Sequence, residues 1–128
     1  MGYSVASRER ATDLMADYPG FGELLHYTGA LGCDEVSFSW RSMPGGTGGR
    51  GSYGHRHPGL EEVYLVLRGT LTFKVDDEVF EAGPLTAVRV DGDSFRSMHN
   101  DTDADVELVA ISKTNDAGTE TKDGFWPE

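Results

Sequence analysis

The chain has 128 residues, which is room for one domain and not for two of ordinary size. Its 22 acidic side chains against 11 basic ones give a formal charge of −11 and a pI near 4.6. That balance argues against nucleic acid and against an anionic membrane surface as partners, because both are bound through an excess of Lys and Arg. No apolar run approaches the roughly 18–20 residues that cross a bilayer. The first ten residues lack the apolar segment of a secretory leader. A single cysteine, Cys33, can form no internal disulfide, which suits a reducing cytosol and predicts a cytoplasmic protein. Cys33 itself is expected as a small buried hydrophobe. The acidity fits a high-salt habitat or simply a soluble surface.

In chain order, Ser7 to Tyr18 is the one helix-like segment. Ser7 stands as its cap, Leu14, Met15 and Tyr18 fall on one face, and Pro19-Gly20 stops it. Strand patterns follow. Glu23 to Thr28 is short and mixed, and Val36, Phe38 and Trp40 alternate with Ser37, Ser39 and Arg41. A glycine-rich loop spans 44–51. Glu62 to Leu67 is almost wholly apolar and ends at Arg68-Gly69. Thr70 to Val75 and Glu78 to Glu81 flank an Asp76-Asp77 hairpin turn. Leu85 to Val90, Phe95 to Asn100 and Val106 to Ser112 complete the series. Phe125 and Trp126 in a polar tail predict that the tail docks on the domain. About nine short strands separated by glycine-rich turns predict an all-β sandwich or barrel in a single domain.

Gly46 to Gly51 satisfies G-x-G-x-x-G, yet Gly54-His55-Arg56-His57-Pro58 follows where a dinucleotide site needs a helix start, so the match is chance. Asp101, Asp103, Asp105 and Glu107 superficially suggest a calcium loop but lack its glycine and its terminal Glu spacing; a solvated turn is expected.

His55 and His57 are two residues apart, and on a strand such side chains share a face. Glu62 follows beyond the turn former Pro58-Gly59, at the start of the next strand. Two imidazoles and one carboxylate are the ligand set of metal centres that keep positions open for substrate or oxygen. Two exposed histidines on a strand face would give the same H-x-H spacing.

From Gly49 to Gly69 the chain reads G-x5-H-x-H-x4-E-x6-G without a gap. This resembles the first motif of the cupin superfamily, and the similarity runs over about residues 36–112. The resemblance implies a conical β-barrel (a double-stranded β-helix, jelly-roll-like) with a central cavity. The barrel core would span about 36–112, the N-terminal packing segment 1–35 and the tail 113–128. It also implies that His55, His57 and Glu62 are ligands of a divalent metal such as iron, manganese, nickel or zinc. Glu61 has the wrong parity and should face outward. In the second cupin motif, counting back from Asn100 puts Arg96 where the fourth ligand His belongs, with Asp91 for the Pro and Asp93 for the Gly. His99 has the opposite strand parity. The chain resembles a subgroup of small bacterial cupins lacking that His.

A cavity-facing Arg96 would repel the metal. Unit charges about 6 Å apart at an effective dielectric near 20 interact by roughly 3 kcal/mol, doubled for a divalent ion. Arg96 could instead pair with Glu62 in place of the metal, receive a carboxylate ligand bidentately, or cap the barrel mouth. Tyr53, Tyr64, Phe73 and Met98 are candidates to line the cavity with Arg96, the alternative for each being ordinary core. Trp40 is expected in the core.

Two functions stay open. One is a ligand-binding cupin without turnover, taking a small organic, anionic molecule. The other is a metal-dependent enzyme of dioxygenase, isomerase or decarboxylase type. The missing His and the lack of a further proton-transfer residue favour the first; the three remaining ligands favour the second. The resemblance and the exposed sheet edges also predict a homodimer, with the segment before Val36 as the packing or exchange element.

Overall fold

The computed structural model describes residues 2–114 and 118–128; Met1 and the part of the predicted tail at 115–117 lie outside the described residues. The described residues form eleven strands. In chain order they are β1 (Thr12–Asp13), β2 (Glu23–His26), β3 (Val36–Met43), β4 (Ser52–Arg56), β5 (Glu62–Arg68), β6 (Leu71–Val75), β7 (Glu78–Ala82), β8 (Ala87–Val90), β9 (Arg96–His99), β10 (Val106–Lys113) and β11 (Glu120–Trp126). A single helical turn, α1 (Thr28–Leu31), joins β2 to β3. One antiparallel sheet has the order β1-β2-β3-β10-β5-β8 and the other β11-β4-β9-β6-β7. This is the all-β double-stranded β-helix, with two strands more than the sequence pattern suggests.

The sheets close on an apolar core of Met43, Val66, Leu71, Phe73, Ala82, Val90, Val106 and Leu108. Tyr64 joins them, and its ring meets Phe73, which stacks on Phe80 with centroids 5.7 Å apart. Phe73 is therefore core and does not line the cavity. Asn100, wholly buried, knits the 100–105 turn: its Nδ2 donates to Met43 O and Ala104 O, and its Oδ1 accepts from Thr102 N and Oγ1. Asp101, Asp103 and Asp105 are exposed, as a solvated turn requires.

Three expectations fail for physical reasons. The helix from Ser7 to Tyr18 does not form. Ser7 makes no side-chain cap to the short 3-10 turn Arg8–Arg10, and Asp13 Oδ1 accepts instead from Met15 N and Leu24 N. Such local side-chain bonds compete with helix, and here they tie β1 to β2. Leu14 and Tyr18 are left exposed. Trp40 is half-buried, not core, because β3 turns its apolar set outward and its Ser/Arg set inward. Cys33 is half-buried just beyond α1.

The tail does dock. β11 pairs with β4, and Phe125 and Trp126 are buried. Phe125 lies where Gly54 leaves room: a Cβ on Gly54 would sit 2.3 Å from its ring. Gly92 serves a similar close approach, since a Cβ there would meet Leu60 N at 2.5 Å and His57 O at 2.6 Å. It lets the turn that follows His57 rest on the β8–β9 connection.

Candidate metal centre and cavity

Tyr53 and His55 project from β4 into the space between the sheets, with His57 just past the strand end on the same side. Leu60 N donates to His57 O at 2.9 Å and closes the turn that brings the chain back into β5 at Glu62. The ligand atoms of His55, His57 and Glu62 all lie within 4.8 Å of one another. The imidazole centroids are 4.9 Å apart, and His57 Nε2 is 3.8 Å from Glu62 Oε1. Parity aligns His55 with His57, and the turn closed by Leu60 brings Glu62 to them. Glu61 faces out to Arg89.

The triad opens onto a cavity of about 660 Å³. Its walls include Leu24, His26, Ser37, Ser39, Arg41, Tyr53, Tyr64, Met98, Leu108 and Ser112. Tyr53, Tyr64 and Met98 lie on this wall, Tyr64 belonging also to the core and Met98 packing against it. Sequence reasoning missed the wall from β2, β3 and β10. The signal is the Ser37, Ser39, Arg41 alternation, but alternation alone does not say which of the two faces turns inward.

Arg96 does not line the cavity. It is wholly buried behind Glu62, opposite His55 in strand register. Its Nη2 donates to Glu62 Oε1 at 3.1 Å, its Nε to Tyr64 Oη at 3.3 Å and its Nη1 to Ser94 O at 3.1 Å. Of the placements open to it, the structure takes the pairing with Glu62; full burial outside the cavity lining means that neither a ligand carboxylate nor the barrel mouth meets it. Burial alone would lower its pKa, but Tyr64 and Glu62 outweigh that and raise it. The Tyr64 hydroxyl donates to the same Glu62 Oε1 at 2.5 Å, and burial pushes this phenol far up, so it stays neutral.

The two bonds to Glu62 both fall on Oε1, so the other carboxylate oxygen is not drawn into them. His55 is pushed down to about 4, first by burial, then by Arg96 and His57, so its imidazole is neutral at physiological pH. His57 Nδ1 lies 3.5 Å from Gly118 O and 3.1 Å from Thr119 Oγ1, which leaves Nε2 directed at Glu62. A ring nitrogen held this way orients the other for a metal. The donor set fits a divalent cation. His99, on the outer side of β9, has Nδ1 3.3 Å from Arg50 N and its ring against Trp126.

The fold and this site define a cupin. The cupin domain family matches residues 39–112, more than half of the chain, and the protein belongs to that family. It is similar to a solved cupin protein from Bacteroides fragilis, at 19% identity over 92% of this chain and 89% of that one, with a TM-score of 0.70. A conserved double-stranded β-helix protein from Klebsiella pneumoniae gives 13% identity over 91% and 95%, also at 0.70. A predicted oxalate decarboxylase from Thermotoga maritima gives 20% over 86% and 98%, at 0.65. At these identities the likeness establishes the fold. No curated protein sequence matches.

Proposed function

We propose that this protein binds a small organic ligand in the barrel cavity, beside a divalent metal held by His55, His57 and Glu62. The observation that carries the proposal is the triad itself: two imidazoles and a carboxylate within 4.8 Å, on the wall of a cavity large enough for a small molecule. Iron, manganese, nickel and zinc all suit such ligands, and a metal there would supply a Lewis acid with open positions. The chain's own residues do the rest. Arg96 and Tyr64 fix Glu62 through Oε1, Gly118 and Thr119 orient His57, and burial keeps His55 unprotonated.

A second reading is a metal-dependent enzyme. It is favoured by the triad opening on the cavity, and the Thermotoga maritima neighbour is described as a predicted oxalate decarboxylase. The binder stands first because Arg96 occupies the position of the fourth ligand.

Calorimetric titration of manganese into metal-stripped, untagged protein tests the site. Binding is expected at one ion per chain, with His57→Ala weakening it by about tenfold or more, since each 1.4 kcal/mol is a factor of ten. No heat with the wild type, or an unchanged His57→Ala, would end the metal reading.

A further inference from the structure

Eight arginines stand in the chain. Six pair with carboxylates: Arg8, Arg50, Arg56, Arg68, Arg89 and Arg96. Arg10 donates to Val5 O at the surface. Arg41 is the exception among the described residues. It points from mid-β3 into the cavity, and its Nε is shut off from solvent with no hydrogen-bond partner.

Its strand neighbours explain why. Leu24 on β2 and Leu108 on β10 lie directly opposite Arg41, so both flanks on the cavity face are apolar. Burial lowers its pKa from the usual guanidinium value, while Tyr53 and Asp13 pull the other way through space. Asp13 Oδ1 is committed to the N–H groups of Met15 and Leu24 and forms no ion pair with Arg41. A half-buried guanidinium without an ion pair costs stability, and an anion in the cavity beside it would offset that cost. A guanidinium is also the side chain best shaped to take a carboxylate on two parallel bonds.

Tyr53 connects this end of the cavity to the metal site. It sits on the same face of β4 as His55, one side-chain step of about 7 Å away. Met15, Phe21, Leu24 and Leu108 supply apolar wall around Arg41.

We infer that Arg41 receives the carboxylate of the cavity ligand, and that this ligand is a small monocarboxylate with an apolar body whose other end approaches the His55, His57, Glu62 triad. This rests on the cavity-binding reading above and assigns its ligand class and anion-receiving residue. It also moves the anion contact from Arg96, which Glu62 neutralises, to a residue that forms no ion pair among the described residues.

The probes are benzoate and its neutral isostere benzamide, titrated calorimetrically into metal-stripped wild type, Arg41→Gln and Arg41→Lys. Wild type should bind benzoate about tenfold or more tighter than benzamide, a difference of roughly 1.4 kcal/mol or above. Arg41→Gln should bind the two alike, and Arg41→Lys should keep part of the preference. Thermal melting of Arg41→Gln should show no loss of stability, because the variant removes an unpaired buried charge. Equal binding of benzoate and benzamide by wild type would overturn the inference, as would no benzoate binding or an undiminished preference in Arg41→Gln. The wild-type comparison needs no variant to fold. Manganese titration of wild type reads the metal site separately: a protein that prefers benzoate but ignores manganese upholds Arg41 and discards the metal reading.

Discussion

At the residue scale the chain buries a cation next to the triad and neutralises it locally. Arg96 is wholly buried, yet its charge is matched by Glu62 and each of its three nitrogens makes a hydrogen bond. A buried cation of this kind stays in place only because its partner sits beside it. The same bonds hold one Glu62 oxygen and set a fixed positive charge close to any metal on the triad. Arg96→His should therefore raise manganese affinity by about tenfold or more, by removing the repulsion and adding an imidazole across from His55. The variant should also melt lower than wild type, since Tyr64 and Ser94 lose their bonds to the guanidinium. Equal manganese affinities for the two proteins would show that Arg96 does not tune the site.

At the element scale, β4 carries the site and β11 backs it. The side chains of Tyr53 and His55 face the cavity, while Gly54 between them faces out and admits the Phe125 ring. Around that ring the outer surface is polar and cationic, with Lys74 Nζ 3.9 Å from the Phe125 centroid and Arg56 4.6 Å from that of Phe95. Gly54→Ala puts a methyl group into occupied space, and overpacking of this sort costs about 1–3 kcal/mol. Phe125→Ala empties the same space and costs about 3–5 kcal/mol when fully buried. The double variant should be clearly more stable than the sum of the two losses, because the new methyl fills part of the hole. Strict additivity in thermal or denaturant unfolding would mean that Gly54 and Phe125 do not share the contact seen here.

At the scale of the whole molecule, the six-stranded sheet has an apolar outer face. Phe38, Ile111 and Val63 form one row across β3, β10 and β5, and Trp40, Val109 and Leu65 form the next. Val36 and Leu67 extend it with side chains that are largely exposed. We propose that this face meets a second copy of the chain, as patches of this kind commonly mark interaction sites. No helix among the described residues is long and apolar enough to cross a membrane. Light scattering at tens of micromolar, about tenfold or more above the Kd of a dimer held by roughly −8 kcal/mol, should report twice the chain mass. Trp40→Glu should bring it down to one. A wild-type monomer would remove the proposal.

The sequence by itself determined the parts set by short-range periodicity and spacing. Alternation and turn residues marked most strands from Val36 to Ser112; strand parity, a local property of the backbone, put His55 and His57 on one side, and the resemblance of the run from Gly49 to Gly69 to the cupin motif added Glu62. The aromatic pair at 125 and 126 announced a docked tail for a similarly direct reason: two large apolar side chains in a polar segment need cover. Tertiary structure decided what period two leaves ambiguous. An alternating strand has two faces, and only packing against the opposite sheet shows that β3 turns Ser37, Ser39 and Arg41 inward and Phe38 and Trp40 outward. Packing also decided that Asp13 would spend its carboxylate on Leu24, eleven residues away, at the expense of a local helix. It decided as well that Arg96 would lie behind Glu62, which left Arg41 as the cation facing the cavity. Which charges find partners is settled by distances across the fold, and spacing along the chain does not contain them.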